Sequence, residues 1–381
     1  MKVLFISEVL PIDTFASQVV FFRHLTRLVE EGHEVHVLTD RNSFEHRSKD
    51  LPDAFTVHLL PNRKWYYPPY KPAGPLQAFR FRDYYYKHVS RIIRENAIDC
   101  LIGFVYGQYL SAFAAYVKEK SDLPLYSFFH DDTAELNFFR SHETMVRNTS
   151  AILRASEKVL IASEGFSENW GEFTSKFELL YPIPEPSRKT TGIRRDEGIS
   201  VGYSGSVYNE LLPCLEEMAG LLQQLKMKFY IVGNNKKADE LQKRFSNVAC
   251  RPMFDTAEEA NGFLADHCDD CIVPYPMDIS RMPWTRTCFP SKLIQFCQIG
   301  IPTLVIAPKG SALGQWCKRN NWILYAERYD AGVIAALLQK ISSPEVKAQV
   351  DHFREAVFHP DVIHEQFRNV IHKQKQDVAG R

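Results

Sequence analysis

The sequence lacks an excess of either charge, a long apolar run and the start of a secreted protein. Its 381 residues carry 46 basic and 46 acidic side chains, so no overall field favours nucleic acid as a partner. No apolar run reaches the length of a membrane span, and the opening MKVLFISEVLP has neither the long apolar core nor the cleavage site of a secretion signal. We therefore expect no nucleic-acid partner and no transmembrane helix, and these absences argue against a secreted solute-binding protein.

Cysteine and cofactor signals are equally sparse. Eight cysteines are scattered through apolar stretches, where reduced thiols pack as small hydrophobic groups. Cys268 and Cys271 form a CxxC pair, but no second Cys or His pair follows at metal-ligand spacing. The GxGxxG pattern of nicotinamide-binding proteins is also missing. We expect a cytoplasmic protein with no bound metal and no cofactor.

What the sequence does contain is one pattern of elements used twice. Short apolar runs alternate with amphipathic stretches from KVLFIS to KVLIAS, as in a parallel βαβ sheet. A run rich in Pro, Gly, Ser and charge at 181–197 breaks this pattern, which resumes with ISVGYSG. We predict two doubly wound α/β domains, 1–185 and 186–355, with a cleft between the carboxyl ends of their sheets. Residues 356–381 are predicted to form a helix that packs back on the first domain.

The stretch FPSKLIQFCQIGIPTLVI, from Phe289, predicts a short helix followed by a buried strand. Ser291 can cap the helix, while Gly300 and Pro302 end it. The first N–H groups of such a helix lie at the positive end of its dipole, and Lys292 adds a full charge beside them. This arrangement suits a phosphate or diphosphate, although capping alone explains Ser291 equally well.

Polar residues also follow the apolar run LYSFFH in the first domain. His130 ends that run, so it is expected at the carboxyl edge of the sheet, where ligands bind. A lone histidine also often makes only a local hydrogen bond. Asp131 and Asp132 follow it; paired carboxylates can bind a metal, but helix capping explains this pair better.

The order of motifs along nearly the whole chain resembles the GT-B glycosyltransferases, specifically the retaining family 4. The likeness rests on GHEVHVLT, FFHDD and EKVLIASEGFSENW in the first domain and on YSGS, YIVGN and FPSKLIQFCQIGIPTLV in the second. It implies two Rossmann-like domains that face each other across a cleft. It also implies metal-independent sugar transfer from a nucleotide-diphosphate donor, with retention of configuration, to a polysaccharide or a polyprenyl-linked acceptor.

The resemblance also assigns site residues. The diphosphate is expected near YSGS and the helix entrance at 291–292, and the ribose near residue 295. The candidate catalytic residues are His130 and Lys292. The donor-side candidates are Gly202, Ser204, Gly205, Ser206, Arg281, Arg286, Thr287, Pro290, Ser291 and Gln295. The acceptor-side candidates are Phe15, Ala16 and Asp131.

Three departures from the family pattern affect this interpretation. Thr287 and Gln295 stand where family 4 usually has a pair of glutamates separated by seven residues; glutamine can bond a ribose hydroxyl but holds no negative charge. Phe15-Ala16 replaces the usual glycine pair, which narrows the approach of a phosphate to the backbone. The Arg and Lys expected after GYSGS are missing. The compensating positive charge is predicted to come from Arg281, Arg286 and Lys292.

Several alternatives stay open. The chain could be a catalytically weakened subunit or regulator that binds nucleotide without turnover, or an epimerase acting on a free nucleotide sugar. The stretch 61–94 mixes aromatic and basic residues, which suits an anionic lipid surface or a polyprenyl-linked acceptor. Carbohydrate stacking or a helix with buried aromatics explains it as well. A peripheral contact with the inner face of the membrane is one predicted setting, while the sugar, the base, the acceptor and the oligomeric state are not readable from the sequence.

Overall fold

The chain divides into two units, each built on one parallel sheet. The computed structural model describes residues 1–13, 17–47, 50–61, 75–132, 142–185, 198–233, 236–252, 254 and 256–379. Unit 1 comprises Met1–Ile183 and His364–Arg381, and unit 2 comprises Pro184–Ile363.

Unit 1 is built on a parallel sheet of seven strands. The strands are β1 (Lys2–Ile6), β2 (Glu34–Thr39), β3 (Thr56–Leu59), β4 (Cys100–Phe104), β5 (Leu125–Phe129), β6 (Lys158–Ile161) and β7 (Phe177–Leu179). Their order in the sheet is β3-β2-β1-β4-β5-β6-β7, and every described pairing is parallel. The helices are α1 (Ser17–Glu30), α2 (Arg41–Arg47), α3 (Pro75–Asn96), α4 (Tyr109–Ser121), α5 (His142–Ala155) and α6 (Phe166–Asn169), followed by a 3-10 turn at Gly171–Lys176.

Unit 2 repeats the architecture with six parallel strands. The strands are β8 (Ser200–Ser204), β9 (Lys228–Val232), β10 (Val248–Arg251), β11 (Asp270–Pro274), β12 (Thr303–Ile306) and β13 (Tyr325–Ala326), in the order β10-β9-β8-β11-β12-β13. The helices are α7 (Leu212–Gln224), α8 (Lys236–Arg244), α9 (Ala257–His267), α10 (Ser291–Gln298), α11 (Ala312–Arg319), α12 (Ala331–Leu338) and α13 (Pro344–His352). Two 3-10 turns, Ile279–Arg281 and Pro283–Arg286, precede α10, and a π-helical segment, Phe353–Val357, follows α13.

Apolar spacing explains why these segments fold as they do. The strands β4, β5 and β11 are buried along their whole length, as expected for strands covered on both faces. In α1 the buried residues recur every three or four positions and include Phe21. The Phe21 ring lies 4.5 Å from Phe104 and 5.4 Å from Phe5, between centroids. The predicted two-domain βα alternation is confirmed.

The last helix, α14 (Pro360–Ala379), packs in unit 1 from His364 onward. Its contact with α1 centres on two histidines. His24 is fully buried, and its Nδ1 lies 3.1 Å from the Nδ1 of His364. Glu31 lies 3.4 Å from the Nε2 of His364, and Arg368 lies 3.5 Å from Glu31. No helix among the described residues is both long and apolar enough to cross a membrane.

The buried histidine pair predicts a loss of stability in acid. Burial lowers the pKa of His24 well below its ordinary value of 6.5, and nearby His364 adds to this. The unfolded chain therefore binds the proton more readily, so this contribution is complete above pH 6.5 and is lost as the pH falls below it. For one such group, the free energy of unfolding changes by at most about 1.4 kcal/mol per pH unit. We expect the melting temperature to fall between about pH 7.5 and about pH 5.5, and to fall less in His24→Phe.

The matched control is His142→Gln, which changes an exposed histidine on α5 of the same unit. Calorimetric melting at the two pH values should give this control the slope of the wild type. An unchanged slope in His24→Phe would show that another group causes the acid sensitivity.

Candidate functional site

The turn after β8 is so tight that glycine is required. Gly205 has φ +124°, a backbone region that side chains disfavour. Its N–H donates to the carbonyl of Val232, 2.8 Å away at the end of β9. A Cβ on the neighbouring Gly233 would lie 2.5 Å from the Gly205 carbonyl oxygen. Two glycines therefore bring the carboxyl ends of β8 and β9 together, at the edge where parallel α/β sheets bind ligands.

Lys292 occupies the space beside Gly205. A Cβ on Gly205 would overlap the Nζ and Cε atoms of Lys292. That Nζ donates to the Tyr203 hydroxyl, 3.3 Å away, and lies 4.5 Å from the centroid of its ring. The Tyr203 hydroxyl donates in turn to the Ser206 carbonyl, 2.9 Å away. The ammonium group is held between an aromatic face and a bare backbone turn, which favours the cation.

The electrostatics of this lysine favour an anionic ligand. Burial lowers the pKa of Lys292 to about 8, and the only opposing group among the described residues is the Tyr208 hydroxyl. A carboxylate close to Lys292 would also oppose the shift, and the described residues supply none. Because a half-buried cation without a counter-ion is costly, an anion that reaches Lys292 gains binding energy.

The start of α10 differs from the prediction. Pro290 occupies the cap position with extended backbone angles, and its side chain makes no capping bond. Ser291 is instead the first helical residue and is exposed. Its predicted capping role is therefore wrong, because Pro290 sets the entry into the helix one residue earlier. The first N–H groups and the positive end of the dipole stay available to solvent or to a ligand.

The other candidate residues in and before this turn differ in their exposure and packing. Ser204 ends β8 half-buried, and Ser206 is exposed. Gly202 lies inside the strand, where a Cβ would be 2.8 Å from both Leu264 and the sulfur of Cys268. Close packing against α9 explains Gly202 without a ligand.

The candidate site residues in the loop before α10 differ in their exposure. Arg281 and Arg286 are exposed, and the Nε of Arg281 lies 3.9 Å from the Asp278 carboxylate. Thr287 is fully buried, and its hydroxyl donates to the Trp284 carbonyl, 3.2 Å away. The arginines can therefore reach a ligand at the surface, while the Thr287 side chain lies in the interior.

Gln295 contacts the beginning of unit 2. Its Oε1 accepts a hydrogen bond from the Glu185 N–H, 3.2 Å away. The side chain is half-buried and holds the entering chain against α10. Of the predicted donor-side residues, the structure brings Gly205, Ser206 and the start of α10 to Lys292.

In unit 1, His130 follows β5 and is 6% exposed. Its ring centroid lies 6.0 Å from that of Phe21. The Nε2 atom is buried and has no hydrogen-bond partner among the described residues. Burial lowers the pKa of His130 to about 4, and Asp131 opposes this shift. At neutral pH the imidazole is therefore uncharged and has one nitrogen left for a ligand.

The two carboxylates after His130 bind other side chains of unit 1. Asp131 accepts from the Ser17 hydroxyl at the start of α1, 3.1 Å away. Asp132 accepts from the Asn169 amide at 3.0 Å and from the Trp170 indole N–H at 2.9 Å. Among the described residues, no group of three or more His, Cys, Asp or Glu could hold a metal ion. The remaining acceptor-side candidates, Phe15 and Ala16, lie outside the described residues.

Glu8 is a polar group at the same edge that sequence reasoning missed. It follows β1 and accepts the Leu110 N–H at the start of α4. Its Oε2 atom is buried and has no partner within the described part of the chain. Burial raises the pKa of Glu8 to about 7, the Leu110 N–H opposes the rise, and Asp40 adds to it. A glutamate placed directly after the first apolar strand is the signal that points to it.

Comparison with known proteins agrees with this architecture. Residues 17–181, within unit 1, match the model of Glycosyltransferase Family 4. The lipopolysaccharide outer core galactosyltransferase WaaB, in its apo form, superposes with a TM-score of 0.64 at 13% identity, over 98% of this chain and 100% of that chain. Sucrose-phosphate synthase from Thermosynechococcus elongatus gives 0.65 at 13% identity, over 100% and 99%. The chain has the GT-B fold.

Other findings set the limits of this likeness. HepE from Anabaena, solved in complex with UDP-glucose, gives a TM-score of 0.63 at 11% identity, over 97% of this chain and 99% of that chain. No curated protein sequence matches the chain significantly. The predicted GT-B fold is confirmed, and at such identities the structural likeness speaks for fold rather than for substrate.

The packing of Lys292 on Gly205 predicts the cost of a side chain at that turn. Gly205→Ala must adopt a disfavoured φ and also displace the ammonium group, so we expect a loss of roughly 2–3 kcal/mol in the stability of this GT-B chain. Gly198→Ala is the matched control, because Gly198 has φ +101° with open space around its Cβ position. It should lose only roughly 1 kcal/mol. Equal losses in thermal melting would show that Lys292 does not hold the space beside Gly205.

Proposed function

We propose that the chain is a glycosyltransferase that moves a hexose from a nucleotide-diphosphate donor to a carbohydrate or a polyprenyl-linked acceptor, with retention of configuration. The observation that carries this proposal is the environment of Lys292. Its ammonium group lies beside the Gly205 turn and near the start of α10, and burial lowers its pKa. A diphosphate supplies the negative charge that this position lacks.

In the proposed reaction the diphosphate lies on the Gly205 turn. The acceptor hydroxyl oxygen bonds to the anomeric carbon as the bond from that carbon to the diphosphate oxygen breaks, and the hydroxyl proton passes to the departing diphosphate. Negative charge grows on this leaving group during the step, and Lys292 with the first N–H groups of α10 stabilises it. Arg281 and Arg286 are exposed in the loop that leads to α10 and add to the positive field. These cations stabilise the negative charge that a metal ion would otherwise stabilise, so the proposed transfer is metal-independent.

The nature of the donor has support from a structural neighbour. HepE was solved in complex with UDP, with UDP and glucose, and with UDP-glucose. A protein with the same fold thus binds a nucleotide-diphosphate sugar, which supports the same class of donor here.

We assign the acceptor to the carboxyl edge of the unit 1 sheet. His130 is buried there, and its Nε2 has no partner among the described residues, so it can bond an acceptor hydroxyl. Asp131 lies next to it and accepts from Ser17. Glu8 at the end of β1 is our addition to this group, as a positioning residue that is partly protonated near neutral pH.

A second candidate function is nucleotide binding without turnover. The observation that favours it concerns the two residues that stand where family 4 usually has a pair of glutamates. Thr287 is fully buried, and Gln295 holds the Glu185 N–H. Neither side chain carries a negative charge. These two residues are therefore consistent with a regulatory subunit that has kept only the diphosphate site.

Ligand-induced stabilisation tests the diphosphate site. We expect one nucleotide diphosphate or its sugar conjugate to raise the melting temperature selectively within a broad panel. A ligand at 100 times its Kd stabilises the native state by about 2.7 kcal/mol. Lys292→Met, which shortens the side chain by one atom and removes the charge, should abolish most of this shift. Lys347→Met is the control, because Lys347 is exposed on α13; a full shift retained by Lys292→Met would place the ligand elsewhere.

The pH dependence of the same binding separates charge from shape. The pKa of Lys292 is about 8 without ligand, so the anion-binding form is lost as the pH rises above this value. Affinity should then fall by up to about tenfold per pH unit. Lys292→Arg stays charged at that pH and should remove the decline. A wild-type affinity that is flat from about pH 7 to about pH 9.5 would contradict the assignment of the cation.

Turnover distinguishes the two candidate functions. If the chain is a glycosyltransferase, incubation with the stabilising nucleotide sugar and an acceptor mixture should release the nucleotide diphosphate. Gln295→Glu restores the carboxylate at the second family position, and we expect it to raise the release rate roughly tenfold, equivalent to about 1.4 kcal/mol of transition-state stabilisation. Strong binding with no release by the wild type or by Gln295→Glu would favour the binding protein. The control is Gln223→Glu, which makes the same change at an exposed position on α7 and should leave the release rate unchanged.

A further inference from the structure

Unit 1 contains a groove of about 680 Å³ on its helical layer. The helix α4 lies between α3 and α5, and residues of all three line the groove. The floor consists of four half-buried alanines and is completed by the ring of Phe113. The alanines are Ala112, Ala115, Ala151 and Ala155. Such small apolar side chains leave a trough that a hydrocarbon chain can fill.

The border of the groove is strongly basic. Arg147 and Arg154 stand two turns apart on α5, and both are exposed. Within the described part of the chain, neither forms an ion pair with a carboxylate. Arg82 from α3 lies on the opposite side, with its guanidinium 4.6 Å from the centroid of the Tyr116 ring. The groove thus combines an apolar floor with arginine forks that match phosphate oxygens.

The remaining charges on the lining do not cancel the arginines. Lys118 also lines the groove and forms an ion pair with Glu157 at 3.1 Å. Glu119 is the one acidic residue among the described residues of the lining. An anion is therefore favoured over a cation or a neutral ligand at this border.

A buried polar group lies at the end of the groove where α4 begins. Tyr109, the first residue of α4, lines it and is 5% exposed. Its hydroxyl is buried and has no hydrogen-bond partner among the described residues. Burial of an unpaired hydroxyl is costly, so a ligand oxygen that reaches this end gains a hydrogen bond.

We propose that this groove binds an anionic phospholipid, with one hydrocarbon chain on the alanine floor and the phosphate on the arginines. Tyr109 and Glu119 are ten residues apart on α4, so the groove runs for roughly 15 Å. That length covers the greater part of an acyl chain. Binding of this kind attaches unit 1 to an anionic membrane surface, because apolar burial and lipid charge act together. The proposal does not depend on the reaction proposed above.

The test uses the full chain and vesicles of two compositions. We expect co-sedimentation with phosphatidylcholine vesicles that contain phosphatidylglycerol, and little with phosphatidylcholine alone. Arg147→Gln combined with Arg154→Gln should lower the partition coefficient about 30-fold, from about 1 kcal/mol per arginine. Ala151→Leu fills the floor without changing charge and should lower it about fivefold or more, because the chain loses buried area.

Two controls match these variants. Arg91→Gln combined with Arg94→Gln removes two exposed charges of unit 1, on α3 and outside the groove lining. Ala335→Leu enlarges a half-buried alanine on α12 of unit 2. Both should bind vesicles to within about threefold of the wild type, and circular dichroism should show that every variant is folded.

Three outcomes overturn the proposal. One is the absence of binding to the anionic vesicles. A second is an equal loss in the Arg91 and Arg94 control, and a third is full binding by Ala151→Leu; both would mean charge adsorption without use of the groove. Thermal shifts with short-chain phosphatidylglycerol and with glycerol phosphate separate the sources of the phosphate. Stabilisation by the lipid alone supports the proposal, while equal stabilisation by glycerol phosphate would mean that no chain is bound.

Discussion

The contact between the Lys292 ammonium group and the backbone at Gly205 is the constraint on which the unit 2 site depends. It requires a residue without a side chain at φ +124°, a second glycine at Gly233, and an aromatic ring below the cation. Each requirement costs conformational freedom or desolvation. A folded chain that needed only stability could place an apolar side chain here and avoid the half-buried charge. In the proposed function, an anion bound beside Lys292 offsets this cost.

The sequence predicts the regular elements well because their signals are local. Continuous apolar runs mark strands covered on both faces, and the three-to-four spacing of α1 marks its buried side. The helix at Ser291 and its end near Gly300 follow from the same kind of signal. The resemblance to GT-B proteins adds the order of the elements, which periodicity alone does not determine.

Side-chain partners within the site are less predictable, because they depend on residues far apart in the chain. Nothing local to Gln295 indicates that it accepts from Glu185, 110 positions earlier. Burial of Thr287 depends on how the turn at Trp284 packs. Glu8 gains its raised pKa from burial against α4, which begins a hundred residues later. The cap of α10 is a further example, since a proline one position before Ser291 takes the cap position.

The two sheet edges differ in their electrostatics, and the difference bears on mechanism. In unit 2 the edge keeps a cation that an anion can neutralise. In unit 1 burial lowers the pKa of His130 to about 4 and raises that of Glu8 to about 7. Both shifts favour the uncharged forms of these side chains near neutral pH. An uncharged imidazole and a half-protonated carboxyl can donate to and accept from hydroxyl groups without attracting free anions. In the proposed function, charge recognition belongs to unit 2 and hydroxyl recognition to unit 1, as expected when one ligand is a diphosphate and the other is a neutral sugar or alcohol.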